Sequence, residues 1–360
     1  KRIEGSGGAD TRHGAAVVRA LAEYLPPNAT LHLVNFDTEP EFHRALDNVV
    51  HQLDVDVITC SVSWANAYDH YDGTSYFSRR VEQILSTDTP LVVAAGNFAQ
   101  SHWQSDYDDS NTNGIHNFDP SAELLELKLN NARYYNFLMS WNDWGGDPRV
   151  DLDIEIYNAA GELLLDRRGR PYASRSVQGP SEYAEPLERI RGFKPIYPGT
   201  RPYYVKVFRK RGTPDPVERG TNFELYVSPP PEDALPGPVV RSSLAAGIAT
   251  TDSPAVIPIG ANDLSHSSQG PTNDGRIRPD FSADGVVELD GARIRGTSFA
   301  TPRVAAALGL VFSRHPDWGI NEAYDFLRRF AVQPDGSAGK NERFGWGQLD
   351  LDALIEALTS

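Results

Sequence analysis

The chain has 360 residues, 40% hydrophobic, 10% aromatic and 23% charged, a balance that excludes a disordered chain and leaves room for two or three domains. Its 34 basic and 49 acidic residues leave a net charge of −15, so the surface repels phosphate backbones and nucleic acid is not an expected partner. One cysteine, Cys60, rules out an intrachain disulfide and a Cys-based zinc site. No apolar run approaches the ~18 residues of a membrane span, and the N-terminal Lys-Arg-Ile-Glu-Gly-Ser-Gly-Gly carries no hydrophobic signal region.

The apolar spacing of residues 14–24 predicts a helix stopped by Pro26-Pro27. LHLVNF (31–36) reads as a short buried strand. Residues 39–53 read as an amphipathic helix with Phe42, Leu46, Val49, Val50 and Leu53 on one face. VDVITCSVS (55–63) is a β-branched run and a second buried strand, residues 74–86 are helical, and LVVAAG (91–96) is a third strand. Strand, helix, strand, helix, strand is the pattern of a parallel α/β architecture. The pattern changes near residue 100, where a polar, turn-rich stretch begins. Short alternating strands follow at 123–129, 135–141, 150–157, 202–208 and 222–227, the spacing of an all-β sandwich. Pro229-Pro230-Pro231 closes this stretch. The α/β signal then returns with a strand at 255–260 and helices at 298–314, 320–330 and 350–358. The order implies one α/β domain in two pieces, 1–114 and 233–360, with a β domain of residues 115–232 inserted between them.

Three segments carry the chemistry. His13 stands at a helix start. Asn97 follows Val93-Ala94-Ala95-Gly96, just past a buried strand, where open α/β sheets place their sites. Ser298 opens an apolar helix after Gly296-Thr297, where free N–H groups favour a developing negative charge. A serine nucleophile needs a base within reach, which His13 would supply. The Asn97 amide and the Ser298 backbone N–H would donate to an oxyanion. Taken singly, each is more often a surface histidine, a turn former or a helix cap. Their combination, in this order and with these flanks, is not.

Together these segments resemble the subtilisin-like serine proteases. His13-Gly14-x-x-Val17 looks like the family's His motif, Ala94-Ala95-Gly96-Asn97 its oxyanion strand, and Gly296-Thr297-Ser298-x-Ala300-Thr301-Pro302 its Ser motif. Segments 253–263 and 267–285 and the closing Gly345-Trp346-Gly347-Gln348-Leu349-Asp350 look like further signatures. The resemblance covers roughly 1–110 and 245–360. It implies a subtilisin-like parallel sheet flanked by helices, hydrolysis of peptide bonds in protein or peptide substrates, no required cofactor, and a secreted location. It also implies a substrate cleft lined by Ser61, Val62, Ser63, Ala95 and Gly96. Trp64, where small residues are usual, would cover a subsite or pack on the insert. Within the insert, Trp141-Asn142-Asp143-Trp144-Gly145-Gly146 and the run 150–161 resemble the pre-peptidase C-terminal β-sandwich of secreted bacterial proteases. Asp143, Asp147, Asp151 and Asp153 are candidate calcium ligands, beside the plain alternative of a solvated, Asp-rich strand edge.

The resemblance also implies a triad Asp on a strand upstream of the His. Twelve residues precede His13; their one Asp, Asp10, stands in a Gly-rich approach and is not assigned that role. An excerpt whose upstream piece holds the Asp strand is the preferred reading, ahead of another orienting acid or a non-catalytic, scaffold-like relative. A true absence is expected to leave a gap in the central sheet. His43, His51 and His315 are expected at the surface, and His102 and His116 are weak candidate ligands.

Overall fold

The computed structural model describes residues 12–26, 28–64, 71–85, 89–144, 149–175, 185–233, 235 and 248–359. The chain divides into two compact units, Lys1–Ala99 with Arg241–Ser360, and Gln100–Val240.

The first unit opens with α1 (His13–Leu21) and α2 (Glu39–Gln52). The Thr38 hydroxyl caps α2 by accepting the Glu41 N–H at 3.4 Å, and Glu39 and Glu41 place negative charge at the positive end of its dipole. β1 (Ile58–Cys60), α3 (Tyr76–Ile84) and β2 (Leu91–Ala94) follow, with Ser75 capping α3 through the Ser78 N–H at 3.0 Å. Segment 31–36 is not a strand. Leu33 is 75% exposed, and Leu31 and Val34 are exposed beside it. An apolar extended run becomes a strand only where a neighbour takes its backbone hydrogen bonds, and among the described residues β1 is paired with β2 alone. The second predicted strand shrinks for the same reason from nine residues to the three that find partners in β2.

The second unit runs β3 (His102–Asp106), β4 (Leu125–Asn130), β5 (Tyr135–Trp141), β6 (Leu152–Tyr157), β7 (Ala173–Ser174), β8 (Leu187–Phe193), β9 (Thr200–Arg209) and β10 (Asn222–Ser228). Two antiparallel sheets form, in the orders β3-β10-β5-β8 and β4-β9-β6-β7. Alternation aims Leu125, Leu127 and Leu129 of β4 inward, where they share one hydrophobic cluster with Phe137, Met139 and Trp141 of β5 and Phe223 and Leu225 of β10. β3 arises from the polar stretch read as turns. It pairs with β10 from Asn222↔Asp106 to Tyr226↔His102, so this unit starts ahead of residue 115. β8, LERIRGF, was not read as a strand because charged residues interrupt its alternation; Ile190 and Phe193 still reach the cluster.

The chain returns to the first unit with β11 (Val256–Ala261), β12 (Phe281–Ala283), the hairpin β13 (Val286–Leu289) and β14 (Ala292–Arg295), α4 (Thr297–Arg314), α5 (Ile320–Arg328), β15 (Ala331–Val332), β16 (Gln348–Leu349) and α6 (Leu351–Thr359). The central sheet runs β1-β2-β11-β12-β16-β15, parallel except for β15. Both of its faces are buried, as parallel sheets require. Val92 faces a cluster with Val304, Leu308 and Val311 of α4 and Leu354 of α6. Leu91 and Val93 face the other way, onto Phe42 and Leu46 of α2 and Phe77 and Val81 of α3. Val49 and Val50 of α2 are half-buried, and Leu53 is exposed.

β1 and β2 are direct neighbours, with Ile58↔Leu91, Thr59↔Val92 and Cys60↔Val93 in register, and β1 ends the sheet among the described residues. Two expectations are corrected here. His43 is buried, not at the surface, with its ring 4.6 Å from that of Phe77. Trp64 packs within the first unit, its ring 5.0 Å from Phe42 and 5.2 Å from Phe77.

Gly345, in the closing motif, shows why that turn needs glycine. Its φ is +65°, and a Cβ would stand 2.1 Å from the Asp280 carbonyl oxygen. Gly345→Ala is therefore expected to destabilise the first unit by on the order of 3 kcal/mol, read as a fall in the urea midpoint at unchanged slope. A midpoint within error of the wild type would contradict the close approach.

Candidate active site

The candidate residues gather at the carboxyl ends of β1 and β2 and the amino end of α4. Ser61 follows β1, Asn97 stands three residues beyond β2, and Ser298 is the second residue of α4. Asn97 and Ser298 depart from elements that are deeply buried, which fixes their positions.

Asn97 is held by the helix that carries Ser298. Its Oδ1 accepts the Thr297 N–H at 2.9 Å and the Thr297 hydroxyl at 3.2 Å. An amide whose oxygen meets two donors must turn its NH2 the other way, and the Asn97 side chain therefore presents a donor. The Thr297 hydroxyl also accepts the Gly96 N–H at 3.2 Å, tying the turn after β2 to α4. Gly96 takes φ +108°, and its carbonyl accepts the Ser268 N–H at 2.9 Å. The Ser268 hydroxyl accepts the Phe98 N–H at 3.0 Å. Segment 267–285 thus includes the buttress of the Asn97 loop.

Pro302 shapes the start of α4. An uninterrupted helix would send the N–H of residue 302 to the carbonyl of Ser298, and proline has none. Ser61 fills the place: its hydroxyl donates to the Ser298 carbonyl at 2.7 Å. The Ser298 hydroxyl in turn donates to the Ser61 carbonyl at 3.2 Å. The two serines are clasped reciprocally. Ser298 is 9% exposed, and its N–H is among the first four of the helix, which no helical carbonyl reaches.

His13 begins α1, and that helix lies against α4 through Ala16, Ala20 and Phe299. The His13 ring is 5.8 Å from the ring of Phe299, the residue after Ser298. Arg303, on the same helix, is 4% exposed. It joins Glu23 (Nε–Oε2 2.7 Å) to the Asp284 and Val286 carbonyls at 2.6 and 2.7 Å, fixing the far end of α1 to α4. Asp10 lies outside the described residues.

Cys60, next to Ser61, is no rival nucleophile. Complete burial pushes its thiol up to about 11, and its Sγ donates to the Val62 carbonyl. Val62 and Ser63 are half-buried, and Ala95 is fully buried behind Gly96. His102 and His116 have other roles in the second unit. His102 Nε2 is 3.1 Å from Glu224 Oε2, while His116 Nδ1 accepts the Asp108 N–H at 3.0 Å and burial pushes its ring down to about 4.

The proposed calcium ligands divide. Asp143 accepts the Val150 N–H at 2.6 Å, Asp147 lies outside the described residues, and Asp151 and Asp153 are joined by Glu188 of β8. No sequence signal pointed to Glu188, which lies 35 residues from Asp153 on a strand that was not foreseen. Thr297 was equally missed as the residue that orients Asn97, although it sits inside the quoted Gly-Thr-Ser.

A family model described as the Subtilase family matches residues 20–347, a stretch that includes Asn97 and Ser298 and begins beyond His13. Among solved structures, the CspB protease of Clostridium perfringens is similar at 18% identity and a TM-score of 0.60, over 97% of this chain and 80% of that one. A lanthipeptide protease is similar at 12% identity and a TM-score of 0.45, over 97% and 77%. Comparison with curated protein sequences finds no match. The likeness to CspB is one of fold, and it agrees with the parallel sheet and flanking helices above. The family match spans most of the chain, and the chain belongs to the subtilase family of subtilisin-like serine peptidases.

Proposed function

We propose that the protein is a serine endopeptidase in which Ser298 is the nucleophile, His13 the general base, and Asn97 and the Ser298 N–H the oxyanion donors. The observation that carries this reading is the orientation of Asn97 by Thr297, which aims a fixed donor from the loop that meets the start of α4. The Ser298 hydroxyl turns from the Ser61 carbonyl and gives its proton to His13 as its oxygen bonds to the scissile carbonyl carbon. The oxyanion is held by the two donors. Its collapse breaks the C–N bond, and His13 returns the proton to the departing amine. Water, deprotonated by the same base, then releases the acyl group. Ser61, Val62, Ser63, Ala95 and Gly96 line the cleft for a peptide substrate in this reading. The insert of residues 115–232, extended toward Gln100, is assigned as a β-sandwich of the pre-peptidase C-terminal type, consistent with a secreted enzyme.

The alternative, a subtilisin-fold scaffold without turnover, keeps the same clasp and the same sheet. A fluorophosphonate probe on the full-length protein, with whatever segment precedes Lys1, separates the two. The enzyme takes one covalent label, which peptide mapping places on Ser298 and excess peptide substrate slows. Protein that stays unlabelled while an active subtilisin in the same buffer is labelled contradicts the peptidase assignment.

A further inference from the structure

We infer that the second unit holds a calcium ion between Asp151, Asp153 and Glu188, a site that ties its two sheets together. Asp151 and Asp153 lie two residues apart at β6, on one face of the strand, opposite the core residues Leu152 and Ile154. Glu188 comes from β8 of the other sheet. One carboxylate oxygen from each comes within 4.8 Å of the others. All three residues are nearly inaccessible, at 1%, 3% and 0% exposure.

Burying three carboxylates together is costly unless positive charge meets them. Lys210 meets part of this charge, 3.3 Å from Asp151, while Lys206 and Arg175 pair with Glu155. None of these ion pairs reaches Asp153. Its Oδ1 is buried with no hydrogen-bond partner, an independent sign that the protein leaves a place for a ligand beside it. Burial and the neighbouring Asp151 push the Asp153 carboxyl up to about 6, which reflects how poorly the protein alone supports that charge.

The donor set selects the ion. It contains only carboxylate oxygens, which suit hard cations rather than zinc or copper. The three oxygens lie within 4.8 Å of one another, a spread that calcium–oxygen bonds of roughly 2.3–2.6 Å accommodate, and calcium tolerates irregular oxygen geometry where magnesium demands a near-ideal octahedron. The inference rests on the second unit alone and stands or falls apart from the Ser298 assignment.

The test is equilibrium dialysis and thermal unfolding of the whole protein, in calcium and in chelator, for wild type, Asp153→Asn and Glu188→Gln. Wild type is expected to bind one more calcium per chain than either variant. Its second-unit transition should rise by roughly 5–10 °C at free calcium about a hundredfold above Kd. Asp153→Asn loses that rise, yet in chelator it melts at or above the wild type, because a buried unpaired charge is gone. This reversal of order separates a ligand from a structural carboxylate. Equal calcium stoichiometry and equal shifts in wild type and variants overturn the site. So does a chelated Asp153→Asn that melts well below chelated wild type. Magnesium giving the same rise at the same concentration overturns the choice of ion. If a variant does not fold, wild-type protein that binds no calcium at millimolar free ion still overturns the inference.

Discussion

Ser298→Ala removes all fluorophosphonate labelling and all peptide cleavage, while thermal unfolding in the same buffer changes little. The hydroxyl is small and barely exposed, and its one hydrogen bond is to the Ser61 carbonyl. Ser61 still donates its own proton to the Ser298 backbone carbonyl, which the substitution keeps, so the clasp survives without the nucleophile. In subtilisin itself, removing the serine costs about 10⁶ in turnover, a value carried over rather than obtained from this chain. The magnitude and the rate of labelling here both depend on how His13 is oriented, but the residue that carries the label does not. A label that persists on another residue of the Ala variant contradicts the assignment.

Asn97→Asp lowers kcat on the order of 10²–10³-fold with KM nearly unchanged, a magnitude again carried over from subtilisin. The replacement keeps the shape and the oxygen that accepts from Thr297, and it exchanges the NH2 donor for an oxygen. That donor matters more to the oxyanion than to the ground-state carbonyl, so the loss falls on kcat. The outcome that contradicts the role is a raised KM at constant kcat. Thr297→Val separates orientation from donation, since it removes one of the two bonds that turn the amide and leaves the amide itself.

The central sheet was legible because burial on both faces writes continuous apolar runs. LVVAAG and AVIPIG became β2 and β11 within two residues at each end. The placement of Ser298 at a helix start and of Asn97 past a strand end was legible because Gly296 and Gly96 beside them leave local marks. LHLVNF misled for the opposite reason: its pattern is that of a strand, but a strand is made by its neighbour, and the sequence does not state which neighbours will be present. β3 was hidden because His102, Gln104 and Asp106 alternate with Trp103 and Ser105, so only one large apolar side chain marks its inner face. Glu188 and the Asn97–Thr297 pairing were hidden because each joins positions far apart in the chain. The length of the α/β interruption, by contrast, led to the expectation of an insertion without any tertiary information.

The pairing of β3 with β10 has a thermodynamic consequence. The first and last strands of the second unit are neighbours, so folding holds His102 and Tyr226 about one strand spacing apart, roughly 5 Å. To the chain on either side, the span between those two residues is a short bridge. Melted, the same segment becomes a long flexible loop. Closing such a loop rather than one of a few residues costs roughly 3–4 kcal/mol of chain entropy, charged against whatever its ends must join. The peptidase unit, itself made of two pieces of chain, is therefore linked in stability to a domain that need not touch it. Whatever tightens the second unit, a bound ion included, also shortens the tether that holds the first one together.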